Sequence, residues 1–174
     1  MAFRSLFTFP DPVNEKAART VAAGVLAMSA ATIAAQQPWL LVPLAAGFWA
    51  RVLTGPTLSP LGRVATSLVA PALGEPKPVP GLPKRFAQGI GTAFSTAAVV
   101  LWFGADAPVA AMAVTGVLAG AALLEAALGL CLGCKIFALL VRAGIAPPSV
   151  CEACADVSLR QPELSRRKAR TWPV

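Results

Sequence analysis

Four stretches of the chain are apolar and almost free of charge: about Ala17–Ala35, Trp39–Leu53, Phe86–Phe103 and Pro108–Leu130. A helix needs about 20 residues to cross the hydrocarbon of a bilayer, so the pattern predicts four transmembrane spans. The second stretch is short, is interrupted by Pro43 and carries Arg51. It is expected to tilt little or to thin the bilayer locally. Between the second and third stretches, Leu61, Val64, Ala65, Leu68 and Val69 recur at i, i+3, i+4, i+7 and i+8, with Ser59 as a cap, Pro60 at the first helical position and Pro71 as a stop. This reads as an amphipathic helix over about 60–70, lying on the inner leaflet with Arg63, Thr66 and Ser67 towards water. The proline-rich run 74–83 reads as an extended linker, because each residue before a proline is pushed out of the α region. The predicted fold class is all-α: a polytopic membrane protein, a four-transmembrane-helix bundle with short interfacial helices on the cytoplasmic side. It forms one membrane domain, 1–174, ending in a cysteine segment at 131–154 and a basic tail at 155–174.

The first span is expected to start with Asp11 as its cap, Pro12 at the first helical position and Glu15 near the positive end of the dipole, paired with Arg19 one turn on. Its apolar run is longer than the core of a secretory signal peptide, so it reads as a retained span. Phe3, Leu6, Phe7 and Phe9 belong in the interface. Within the spans, small residues recur every fourth position at Ala23, Ala27, Ala31 and Ala35, at Gly89, Ala93 and Ala97, and at Gly116 and Gly120. Such faces let helices approach closely in lipid, and the glycine pair also makes a homodimer an expectation.

Composition agrees with the pattern. Hydrophobic residues make up 56% of the chain and charged residues 13%, whereas about a quarter of residues are charged in soluble domains. The net charge of +7 would suit a nucleic-acid partner, but its distribution does not. The connections after the first and third spans carry no Lys or Arg, and all fifteen cations fall on the other side. This asymmetry predicts a multi-pass protein of the bacterial cytoplasmic (inner) membrane with both termini cytoplasmic. Trp39 and Trp102 then sit at the outer interface and Trp49 near the inner one.

The chemistry lies in the four cysteines, Cys131-Leu-Gly-Cys134 and Cys151-Glu-Ala-Cys154, where the last span ends. Their spacing fits a four-thiolate zinc site, and the chain has no histidine to share the coordination. A helix from Lys135 to Ala143 travels about 13 Å, and residues 144–150 can return up to about 23 Å, so Cys151 can reach back to Cys134. The same residues support a second reading. A C-x2-C pair at a helix start has its thiolate stabilised by free N–H groups, with Lys135 adding a cation, and can exchange disulfides or carry sulfane sulfur. Structural disulfides are disfavoured on a cytoplasmic face. Glu125, a carboxylate inside an apolar span, needs a partner or water. It is expected to meet Arg51 or Gln88 and fix the bundle, or to serve the Cys131 thiol as proton acceptor across about 9 Å of helix. No P-loop, serine-hydrolase or dinucleotide motif is present, and repeated broken helices of a transporter are not evident.

The motifs Phe-Pro-Asp-Pro-Val-Asn-Glu (9–15), Ser59-Pro60-Leu61, Pro-Lys-Arg-Phe-Ala-Gln-Gly (83–89) and Leu124-Glu125-Ala126 leading into Cys131-Leu-Gly-Cys134 together resemble the bacterial membrane proteins grouped as domain of unknown function 4395. The resemblance covers about residues 9–154. It implies a small helical membrane protein with no established activity, associated with thioredoxin-like or sulfurtransferase partners.

Overall fold

A computed structural model describes residues 9–144. The expectations for Phe3, Leu6, Phe7, Cys151, Cys154 and the basic tail lie outside the described residues. The described chain is almost wholly helical. A short strand β1 (Val13–Asn14) leads into α1 (Glu15–Ala35), and a 3-10 turn (Pro38–Leu40) leads into α2 (Leu41–Thr54). Next comes α3, residues 60–72, made of Pro60–Val64, a π turn at Ala65–Val69, and Ala70–Ala72. Strand β2 (Pro78–Val79), α4 (Gly81–Phe103), α5 (Pro108–Leu128) and α6 (Leu132–Arg142) complete the order. Three helices, α1, α4 and α5, are long and apolar enough to cross a membrane, while Pro38–Thr54 forms a shorter apolar helix.

The start of α1 differs from expectation. Asn14, not Asp11, caps it, its side chain accepting from the Lys16 N–H at 3.0 Å. Val13 and Asn14 are extended because they pair antiparallel with Val79 and Pro78. The run 74–83 is therefore only partly a linker. Asp11 Oδ1 accepts instead from the Gly81 N–H at 3.0 Å, and so supplies the start of α4 with an acceptor from another segment. With that cap, and with Pro83 tolerated in a first turn, α4 begins at Gly81 rather than at Phe86. Glu15 pairs with Lys77 at 2.7 Å. Arg19 donates to the carbonyls of Ala126 and Ala127 at 2.8–3.1 Å. A cation thereby meets the unsatisfied, negative end of α5.

The core cluster joins Ala17, Val21 and Val25 of α1 with Leu44 and Phe48 of α2, Ala65 and Ala70 of α3, and Leu118 and Ala122 of α5. The small-residue stripes contribute little to it. Ala23, Ala27, Ala31, Ala93 and Ala97 are exposed, and at Gly116 and Gly120 an added Cβ would meet nothing within 4 Å. On α3 the buried positions are Gly62, Ala65 and Ala70, while Val64 and Leu68 are exposed. This helix runs along α1. Leu61 packs at Gly24, and the Leu73 carbonyl accepts from Lys16 Nζ at 2.6 Å.

Arg51, near the end of α2, is buried, and among the described residues no acid forms an ion pair with it. Its Nε donates to Gln88 Oε1 at 3.1 Å, Nη1 donates to Ser59 Oγ at 3.3 Å, and the guanidinium lies 4.5 Å from the centre of the Phe48 ring.

Candidate functional site: a dithiol at the start of α6

The last long helix stops at Leu128, although Leu130 and Cys131 continue its apolar run. Gly129 adopts φ +68°, a left-handed conformation that side chains other than glycine enter at a cost. The chain turns there, so Cys131 does not continue the helix of Glu125, and the two residues line one cavity. Cys131 is the N-cap of α6, with φ −85° and ψ 103°. Its Sγ accepts from the Cys134 N–H at 3.3 Å. A sulfur here does what a serine or aspartate oxygen does at other helix starts, receiving one of the unpaired N–H groups.

Gly133, inside the Cys-Leu-Gly-Cys sequence, is where α6 docks. A Cβ on it would lie 2.5 Å from the Cβ and 2.6 Å from the Cα of Ala87 on α4. Phe137 and Phe86 extend the same contact, their rings 5.4 Å apart. Gly133→Ala is therefore expected to push α6 off α4. The expected cost is about 1–3 kcal/mol, as for an overpacked core. Thermal unfolding in detergent measures it, and a bulky maleimide should then reach Cys131 faster than in the parent.

Lys84 and Glu125 complete the surroundings. Lys84 Nζ and Glu125 Oε1 are ion-paired at 2.5 Å, with side chains 10% and 19% exposed. Glu125 thus meets neither Arg51 nor Gln88. Lys84 stands one turn before Gln88 on α4, a position that becomes helical only because α4 starts five residues earlier than the apolar run suggested. In the sequence Lys84 reads only as one of the cations that set orientation. The one available signal was its i, i+4 relation to Gln88.

The two thiols are free and unequal. Cys131 is buried, and its thiol is held below the ordinary value, chiefly by the hydrogen bond from the Cys134 thiol. Burial and Glu125 oppose this, while Lys84 and the Cys134 N–H favour the thiolate. Cys134 is half-buried and is pushed up, chiefly by its hydrogen bond to Cys131, with burial and the Cys131 charge adding. The pair thus favours a thiolate at Cys131 and retention of the proton at Cys134. The cation acting on it is Lys84, whereas Lys135 is exposed. Among the described residues, no group of three or more His, Cys, Asp and Glu side chains is placed to hold a metal ion.

Cys131 also lines a cavity of about 250 Å³ between α1, α2, α4, α5 and α6. Glu125 and Gln88 share its wall, and Val25, Phe94 and Val117 carry it towards the middle of the bundle. A second hollow, bordered by Trp49, Gly89, Thr96 and Val100, is a surface groove without a titratable group.

A helical protein with three helices of membrane-crossing length and a dithiol at the turn after the third is the class that fold and site define. Residues 13–142 match the model of the family described as domain of unknown function, DUF4395, and the chain belongs to that family. No curated protein and no solved structure matches it.

Proposed function

We propose that this chain is a membrane-bound dithiol/disulfide exchange protein whose working pair is Cys131 and Cys134. The observation that carries the reading is the unequal pair. The Cys131 sulfur is a buried N-cap acceptor with a lowered thiol pKa, and Cys134 is the more accessible partner, its thiol pushed up.

In the oxidised protein, a thiolate of a soluble thioredoxin-like or sulfurtransferase protein attacks the Cys134 sulfur, the one nearer the surface. The Cys131–Cys134 bond breaks and its electron pair leaves on Cys131. A lowered thiol pKa makes a better leaving group, and the free N–H groups of α6 with Lys84 receive the charge. The partner's second thiolate then attacks its own mixed-disulfide sulfur, Cys134 leaves and takes up a proton, and the partner is oxidised by two electrons. We place this site on the cytoplasmic face of the bacterial inner membrane, with four spans, both termini inside, and α3 and α6 at the inner surface. The cation distribution supports that orientation. The exposed Leu132, Ile136 and Leu139 of α6 beside Lys135 and Arg142 suit an interface.

Single-cysteine variants test the reading against a purified thioredoxin-like protein that lacks its resolving cysteine and carries its remaining one as a mixed disulfide with an aromatic thiol, the group that leaves on exchange. Cys131→Ser leaves the accessible Cys134 without its resolving thiol and should accumulate a reducible mixed disulfide. Cys134→Ser should form at least about tenfold less. Equal, negligible trapping by both variants would sink the proposal. The spacing of the cysteines favours a second reading, in which Cys131, Cys134, Cys151 and Cys154 hold one structural zinc. Tightly held zinc with no exchangeable thiol in the purified full chain is its signature.

A further inference from the structure

The cavity at Cys131 raises the question of where the electrons go once a soluble partner has been oxidised. Resting on the dithiol reading, the geometry points to a lipid-soluble quinone, its ring in this cavity, as the acceptor that returns Cys131 and Cys134 to the disulfide.

Size, lining and polarity all bear on the assignment. An apolar cavity of about 150 Å³ in another protein admits benzene, so about 250 Å³ admits a substituted quinone ring. Most of the lining is apolar, contributed by residues such as Phe48, Phe94 and Val25. The polar groups are confined to Cys131, Glu125 and Gln88. Arg51 Nε donates to Gln88 Oε1, which fixes the amide and leaves its N–H2 to donate to a carbonyl oxygen. An acyl chain in the same place would leave that amide unpaired, at a cost. A quinone carbonyl offers that amide an acceptor. The α6 wall is also surface, since Ile136 lines the cavity and is 44% exposed, so a tailed molecule can enter from the side.

The step balances as dithiol plus quinone giving disulfide plus quinol. The Cys131 thiolate forms a bond to a ring carbon, and the quinone oxygen takes the displaced pair as an oxyanion facing Gln88. The Cys134 sulfur then attacks Cys131. The sulfur–carbon bond breaks, its pair enters the ring, and the disulfide closes. One proton comes from the Cys134 thiol. The second comes from the aqueous side by way of the Lys84–Glu125 pair, of which Glu125 lines the cavity.

The experiment uses the full chain in detergent, reduced, freed of reductant and kept anaerobic, with a short-tailed, fully ring-substituted ubiquinone as probe. The expected result is loss of one quinone and two thiols per chain, read by absorbance and thiol titration. Ala121→Trp places an indole in the cavity and should slow the transfer at least tenfold while leaving the equilibrium with a dithiothreitol redox buffer unchanged. Gln88→Leu should raise the quinone concentration for half-maximal rate. Two outcomes overturn the inference: a dithiol that equilibrates with the dithiothreitol buffer yet transfers nothing to the quinone, or an Ala121→Trp rate equal to the parent's. Failure to equilibrate with the buffer at all would remove the dithiol reading as well.

Discussion

Lys84→Met is expected to destabilise the protein by about 3–5 kcal/mol, the usual cost of removing one partner of a buried ion pair. Glu125 would be left in the bundle with its nearest cation gone. Glu125→Gln strands Lys84 and should act in the same direction, while Lys84→Met with Glu125→Leu should recover most of the loss, because no unpaired charge stays behind. Thermal unfolding in one detergent measures all three. The same substitutions should act in opposite directions on the thiol. Lys84 favours the Cys131 thiolate and Glu125 disfavours it, so Lys84→Met should slow alkylation of Cys131 at neutral pH and Glu125→Gln should speed it. A purely structural pair would lower stability in both variants and move reactivity the same way in both. Opposite signs identify the pair as an electrostatic control on the dithiol.

The long helices were legible because apolar runs of about 20 residues have few other uses, and α1, α4 and α5 fall where the hydropathy pattern put them. Their ends were harder. Leu128 to Cys131 is as apolar as the helix before it, and only Gly129 marks the turn that ends the helix before Cys131. Three residues of α4, 81–83, lie in the proline-rich run that reads as a linker, and Lys84 and Arg85 precede the apolar run that starts at Phe86. The acceptor that lets the helix start at Gly81 comes from Asp11, seventy residues away in the chain. Missing that start displaced Lys84, and with it the partner of Glu125. The small-residue stripes misled for a related reason. In an alanine-rich chain every face of a helix carries such a repeat, and the larger core residues, such as Val21, Val25, Phe48 and Leu118, decide which face turns inward. The thiol chemistry was legible as a motif, whereas the inequality of Cys131 and Cys134 needed the cap geometry.

That inequality makes the last prediction a pH profile. Alkylation proceeds through the thiolate, so a thiol with a lowered pKa reacts at a pH where ordinary thiols are still protonated. In the reduced protein, a small uncharged maleimide should modify Cys131 in a phase whose rate rises with pH through a midpoint below the ordinary thiol value. Cys134 should stay slow well above that value, because it shares its proton with the neighbouring sulfur. Peptide mass spectrometry assigns each phase. Cys131→Ser removes the hydrogen-bonded sulfur that is the first cause of the upward shift at Cys134, so the remaining thiol should become faster, by about tenfold for each tenfold rise in its thiolate fraction. Cys134→Ser removes the donor to Cys131 and should move the other midpoint up. Acceleration of one cysteine by loss of the other is foreign to a zinc site, where removing one ligand frees the rest only as the metal leaves and a chelator gives the same result in the parent. Two independent thiols with ordinary midpoints in the parent, unaltered in either variant, would remove the basis for disulfide exchange at this site.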